Sequence, residues 1–440
     1  MLPTATTTAQ RQSTPPLTRL LGRRLAGTST PARLSALRAA FIVVAVVFAV
    51  GGAFGVNRRA NAIHDVRTAS RQLLALQDIQ VRVVHADAIA SSSYLRSGQE
   101  DPAQRTAYLD EVAKAGDGLV AVSGAATSTD LGQLSEASRL LGSYVGLVEQ
   151  ARANNRQGFP VGATYQRQAN GIVSNADPQA PDIVSSLRAV EASQRAQIND
   201  SLATAHRAGV WLQALGWLLI AGLVLESVWL MRTFRRVVNL PILIAGVIVL
   251  LLLIIGGATQ ASAASNADDA VSTQLTGADN AAQARAAAFE ARSQEALTLI
   301  NRGNGAANEL NWQLSNSIVD QELGTKLGTA PGLIEGASET YRSYVSAHRH
   351  IRELDDGGDW DSAVAASLGK PDIGPSAATT FDDFDQNVGQ IVAAEGAKAS
   401  TLLGDATSSL GALRNIVFIA GLVVAALGAI GIGQRLREYR

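Results

Sequence analysis

Residues 240–258 read Leu-Pro-Ile-Leu-Ile-Ala-Gly-Val-Ile-Val-Leu-Leu-Leu-Leu-Ile-Ile-Gly-Gly-Ala, with no charged or hydrogen-bonding side chain. A helix needs about 20 mostly apolar residues to cross a bilayer. A buried helix of a soluble protein normally keeps a polar stripe, and this segment has none. Three more apolar stretches, 39–56, 209–231 and 416–433, stand in an otherwise polar chain of 440 residues. Four crossings follow, and an ordinary soluble enzyme is excluded.

Arginine placement sets their direction. The tail 1–38 carries Arg11, Arg19, Arg23, Arg24, Arg33 and Arg38 and no acid. The connection 232–239 carries Arg232, Arg235 and Arg236, again without an acid. The tail 434–440 carries Arg435, Arg437 and Arg440 against Glu438. All three segments are expected in the cytoplasm, with the protein in the plasma membrane as a multi-pass chain and both termini inside. The first stretch reads as a retained anchor, because Arg58 and Arg59 crowd any small-residue cleavage site. The Thr-, Pro- and Arg-rich tail before it reads as disordered.

The topology leaves two long outer segments, 57–208 and 259–415. Ser143-Tyr144-Val145 recurs as Ser343-Tyr344-Val345, Arg152 as Arg352, Gly158 as Gly358 and Ala163 as Ala363, all 200 residues on. Leu95-Arg96-Ser97-Gly98 is matched by Ile300-Asn301-Arg302-Gly303. One shared offset in matching topological positions points to duplication. In the first segment Ala62, Val66, Ala69, Leu73, Leu76, Ile79, Val83, Ala86 and Ala90 recur at helical spacing. That helix is expected to stop at Gly98. Asp101-Pro102 with Gln104 predicts a capped start, and Asp130 with Gln133 another. Pro178, Pro181, Pro371 and Pro375 interrupt the last helical regions. The expected fold is all-α: four transmembrane helices with two extracytoplasmic four-helix-bundle domains in tandem repeat.

The motif Gly358-Asp359-Trp360-Asp361-Ser362-Ala363 resembles a turn in the four-helix-bundle sensing domains of bacterial chemoreceptors and sensor kinases. The first copy keeps Gly158, Phe159 and Ala163 of it. Those receptors continue into a long cytoplasmic signalling region, for which the interior segments here leave no room. The whole layout, four crossings with two external helical domains and no internal output domain, resembles the actinobacterial GlnX-like transmembrane signalling proteins. The resemblance implies a relay of aspartate and glutamate availability. It implies two partners, an external solute-binding lipoprotein and a cytoplasmic serine/threonine kinase, beside membrane lipid and a possible homo-oligomer. The rival readings are a direct small-molecule receptor of chemoreceptor type, a transport accessory and an envelope scaffold.

Candidate sites are few. Glu226 is the one ionisable residue inside a crossing, and a carboxylate there costs a few kcal/mol unless paired or wetted. Gly51 and Gly55, like Gly421 and Ala425, form small-xxx-small pairs that let helices approach closely. With Glu226, the first pair is the candidate for signal coupling. Arg232, Arg235, Arg236, Arg435 and Arg437 are candidates for lipid or partner contact on the inner face. Arg67, Arg71 and Arg82 could clamp a ligand carboxylate. Asp355, Asp356, Asp359 and Asp361 lack the closing glutamate of a calcium loop and read as capping residues. His348 and His350, two apart, point to different helix faces, against a metal role.

The absence of cysteine removes disulfides, thiolate metal sites and cysteine nucleophiles. No nucleotide-binding glycine loop, zinc-binding histidine pair or nucleophile elbow is present, so neither enzymatic activity nor a cofactor is expected. The first outer segment holds 15 basic and 15 acidic residues, the second 10 and 21. That acidic excess argues against nucleic acid.

Overall fold

The computed structural model describes residues 30–96, 101–175, 177, 179–234, 239–325, 331–369 and 376–437. Gly98, Pro178, Pro371, Pro375, Arg235, Arg236 and the arginines of the first 29 residues lie outside them.

All regular structure among these residues is helical. In chain order the helices are α1 (Thr30–Tyr94), α2 (Pro102–Ser123), α3 (Ser128–Arg156), α4 (Val161–Val173), α5 (Ile183–Ala208) and α6 (Val210–Phe234). Then come α7 (Leu240–Asp269), a π-helical turn (Ala270–Leu275), α8 (Thr276–Ile300), α9 (Ala306–Leu323), α10 (Pro331–Asp356), α11 (Trp360–Leu368) and α12 (Ala377–Arg437). Four helical stretches are long and apolar enough to cross a membrane. The chain is a multi-pass membrane protein.

The caps depart from expectation in detail. Asp101 caps α2 by accepting from the Ala103 N–H at 2.9 Å, with Pro102 at the first helical position. Gln104 does not close the box; its side chain accepts from Ser93 Oγ at 2.9 Å and ties α2 to α1. Helix α3 begins before Asp130, because Thr127 is the cap and accepts from the Asp130 N–H. Beyond Pro181, Asp182 accepts from the Ser185 N–H at 2.6 Å and starts α5.

The chain divides into two units. The first comprises residues 1–58, 208–260 and 410–440 and contains the apolar crossings. Within it each crossing packs on its sequence neighbour through glycine. A Cβ at Gly51 would meet Leu215 at 2.8 Å, and one at Gly55 would meet Trp211 at 2.7 Å, so α1 lies against α6. Gly216 faces Leu253, and Gln213 Nε2 donates to the Leu253 carbonyl at 3.0 Å, joining α6 to α7. Asn239 Nδ2 donates to the Gly431 carbonyl at 3.0 Å at the start of α7, against α12. Gly421 closes the ring, since a Cβ there would lie 2.5 Å from that of Ala49. Small residues allow this backbone approach where no hydrophobic drive separates helix from lipid.

The second unit comprises residues 59–207 and 261–409. In place of two separate bundles, the outer segments share one continuous core, running from Leu76 through Tyr144 and Val190 to Ala284, Tyr344 and Ile391. Each segment includes one short helix, α4 or α11. Helix α8 explains the merger: Ala281, Ala284, Ala288, Ala291, Ala296 and Leu299, on every face, are buried. A helix buried on every face sits in the middle of a structure, not at the rim of a bundle.

Candidate functional site

Helices α3 and α10 end in the same turn. Gly158 has φ 72° and Gly358 φ 85°. The Phe159 N–H donates to the Asn154 carbonyl at 2.9 Å, and the Asp359 N–H donates to the Leu354 carbonyl at 2.9 Å. This closure needs a left-handed residue, which glycine supplies without a Cβ penalty. The 200-residue offset is therefore a repeat of geometry as well as of letters.

The two turns bring Phe159 and Trp360 to one cleft of about 610 Å³, together with Tyr94 and Leu95 from the end of α1 and Ile300 from the end of α8. Two arginines line it, Arg156 and Arg302. Arg302 is the one described non-glycine residue at positive φ, 39°, and its guanidinium lies 3.9 Å from the centre of the Trp360 ring. Trp360 is held in turn by its Nε1, which donates to the Leu299 carbonyl at 2.8 Å.

From the rim of this cleft a file of side-chain hydrogen bonds runs inward between the two segments. Arg167 Nη1 donates to Asn301 Oδ1 at 2.6 Å, Asn301 Nδ2 to Asn308 Oδ1 at 2.6 Å, and Asn308 Nδ2 to Gln294 Oε1 at 2.7 Å. Gln294 Nε2 then donates to Asn170 Oδ1 at 3.2 Å, and Asn170 Nδ2 to Asp87 Oδ2 at 2.7 Å. The amides align head to tail, with a cation at the exposed end and a carboxylate at the buried one. Ser293 Oγ also donates to Asp87 Oδ2, at 2.5 Å. Asp87 is 1% exposed, and its Oδ1 has no hydrogen-bond partner among the described residues. Burial pushes its pKa up to about 6; the bonds from Ser293 and Asn170 offset only part of that rise. The Tyr108 and Tyr144 hydroxyls are also buried and interact with each other, with no partner at ordinary hydrogen-bond distance among the described residues; burial followed by carboxylate charge raises both phenols.

The second segment buries its carboxylate differently. Glu295 pairs with Arg292, accepts from Ser367 Oγ at 2.8 Å, and meets His348 Nδ1 at 3.0 Å. His348 Nε2 meets Glu309 at 3.2 Å, and Trp312 stacks on the His348 ring at 3.7 Å. Burial alone would raise Glu295 and lower His348; the ion pairs and hydrogen bonds reverse both directions. The role of His348 escaped sequence reading because its partners lie 53 and 39 positions away. His350 points elsewhere, toward Glu353 at 3.8 Å. Asp355 and Asp356 are held by Arg352, and Asp359 caps α11. No group of three or more His, Cys, Asp or Glu among the described residues is placed to hold a metal ion.

The arginine trio on α1 separates. Arg67 and Arg71 converge on one hydroxyl, Ser400 Oγ, at 3.3 Å and 3.2 Å. Arg82 is engaged by Asp78 at 2.7 Å and Glu111 at 3.1 Å, so it does not join them. Glu226 is 8% exposed, and its Oε1 accepts no hydrogen bond among the described residues. Arg232 is exposed at the end of α6. Arg435 and Arg437 lie in the last turns of α12.

Residues 62–206 match the family model described as Actinobacterial sensor domain. A sensor domain is thus present, and it coincides with the first outer segment, including Asp87, Tyr94 and Phe159. A domain of this kind is consistent with a signalling role. No curated protein and no solved structure matches the chain.

Proposed function

We propose that the protein is a non-enzymatic transmembrane signal relay, with both termini in the cytoplasm and the sensor domain outside. One observation carries this reading: the sensor-domain match begins at residue 62, inside the unbroken helix α1 that also supplies the first crossing. Helix α12 likewise runs from outer segment to crossing without interruption. A partner that prefers one arrangement of the outer helices shifts the population of that arrangement, and a continuous helix carries the difference to its other end. The layout supports a GlnX-like assignment: an external solute-binding lipoprotein reporting aspartate and glutamate, and a serine/threonine kinase inside.

Coupling is assigned to the glycine contacts of Gly51 and Gly55 with α6 and to Glu226, whose Oε1 has no partner among the described residues. Arg232, Arg235, Arg236, Arg435 and Arg437 serve the inner face, toward lipid headgroups or the kinase. Arg67 and Arg71, sharing Ser400, are the arginines that a carboxylate could bridge.

Crosslinking in intact membranes, followed by identification of what co-purifies from each side, tests the assignment. A solute-binding lipoprotein outside and a kinase inside are expected. If deletion of the gene leaves cytoplasmic phosphorylation unchanged and neither partner is recovered, the relay is wrong. Because the chain has no cysteine, single introduced cysteines report the sidedness of each segment without background.

A further inference from the structure

We propose that the cleft between the two copies binds a small carboxylate with an apolar, aromatic body. This goes beyond the relay, which needs no ligand at this position. The volume, about 610 Å³, falls within the range of small-molecule sites. Its lining combines aromatic surface (Tyr94, Phe159, Trp360) with Arg156 and Arg302, and no carboxylate lines it among the described residues. Neither arginine forms an ion pair with a described acid; Arg302 instead stacks on Trp360, and both side chains are exposed.

Two further features set the cleft apart from a surface crevice. Phe159 is 51% exposed at its mouth, an apolar ring left to water at a turn where a polar residue would serve as well. Arg302 is held at φ 39°, outside the usual range of a side-chain-bearing residue, with its cation parked on the Trp360 ring. Strain of this kind persists where the surroundings over-determine it, and it concentrates at ligand clamps. A planar carboxylate satisfies both guanidinium groups with charge-assisted bonds, and an aromatic body takes the Phe159 and Trp360 faces. A cationic ligand would meet two unpaired positive charges and is rejected. A small acidic amino acid would leave the rings uncovered and carry an ammonium group into the same field.

Calorimetry on the full chain in detergent tests the site, with 3-phenylpropionate as the probe and phenethylamine and glutamate as comparators. Saturable binding of 3-phenylpropionate is expected, with phenethylamine silent and glutamate at least about tenfold weaker. Arg156→Gln and Arg302→Gln should each weaken the probe by roughly tenfold, and Phe159→Ser by a similar factor. All three residues are exposed or half-exposed, so thermal unfolding of the variants checks that folding is intact. A probe that gives no saturable heat up to about 10 mM overturns the site, on a scale where 1 mM is about −4 kcal/mol. So does unchanged affinity in the folded double variant of Arg156 and Arg302. Binding of phenethylamine as well as the acid would also overturn it. None of these results depends on the lipoprotein or the kinase, so the relay stands or falls separately.

Discussion

Tyr144 and Tyr344 occupy matching positions in the two outer segments and are both fully buried, yet their surroundings solve opposite problems. Beside Tyr344, Trp312 Nε1 donates to its hydroxyl at 3.1 Å, and the nearby Glu295 carboxylate is matched by Arg292, His348 and Ser367. Beside Tyr144, no donor reaches the hydroxyl at ordinary hydrogen-bond distance among the described residues, and the Asp87 carboxylate faces no cation in its own pocket; its compensation arrives through the Ser293 hydroxyl and the file of amides. Two segments that share a turn geometry therefore carry a closed ionic cluster in one case and an open carboxylate in the other. The open copy is the one that matches the sensor domain. Uncompensated buried charge is costly, and it is retained where a change of protonation or contact can be used.

The largest test of the contrast is Glu295→Gln. Removing one member of a buried ionic cluster leaves Arg292 and His348 facing each other without their anion, at a cost of about 3–5 kcal/mol. Thermal unfolding of the full chain in detergent at pH 7.5 should show a fall of several degrees. The cluster also has a defined pH window. Glu295 is lowered, so its stabilisation exists above the ordinary carboxylate pKa and is lost as pH falls through the lowered value. His348 is raised, so its stabilisation is complete below the ordinary imidazole pKa and is lost as pH rises through the raised value. A loss under about 1 kcal/mol in Glu295→Gln, the size of an exposed pair, would mean the cluster is not the closed network described.

Asp87→Asn should move stability the other way. An acid raised from 3.8 to about 6 binds its proton more tightly in the folded state, so folding weakens as pH climbs between those values and stays weakened above them. The full shift corresponds to about 3 kcal/mol at 1.36 kcal/mol per pKa unit. The amide keeps an acceptor for Asn170 and Ser293 and removes the charge. The variant should therefore unfold later than the parent at pH 7.5 by up to that amount, and the difference should vanish near pH 4. A variant less stable than the parent at pH 7.5 would show that the carboxylate is compensated after all.

The sequence disclosed the crossings and the turns because both are written in local chemistry: uninterrupted apolar runs, and glycines at positive φ 200 residues apart. It disclosed the helices as well, though their caps slipped by a few residues where Thr127 took the position expected of Asp130. What it hid was everything that depends on the two segments meeting. Helix α8, with alanine on every face, has no stripe from which an orientation could be read, so the shared core was not visible. Glu295 bonds to residues up to 72 positions away and Asp87 to one 206 away, and no spacing rule connects Asp87 to Ser293. The arginine trio failed for a different reason: one helix face can present three cations, but only the neighbours decide that Arg82 is taken by Glu111 while Arg67 and Arg71 share Ser400.

The smallest effect separates the copies most finely, because it compares two aromatic residues at similar places in α2 and α9. Trp312→Phe removes the donor to Tyr344 and part of the stack on His348, and should cost about 1–2 kcal/mol. Tyr108→Phe removes a hydroxyl that meets no more than the Tyr144 hydroxyl among the described residues, and deleting so weakly satisfied a buried group should leave stability within about 1 kcal/mol of the parent. Denaturation of both variants side by side in the same detergent reads the difference directly. The sign is the point: a paired ring system must lose and a weakly paired one must not. If Tyr108→Phe proves the more damaging of the two, its hydroxyl is bonded in solution and the first copy is as closed as the second.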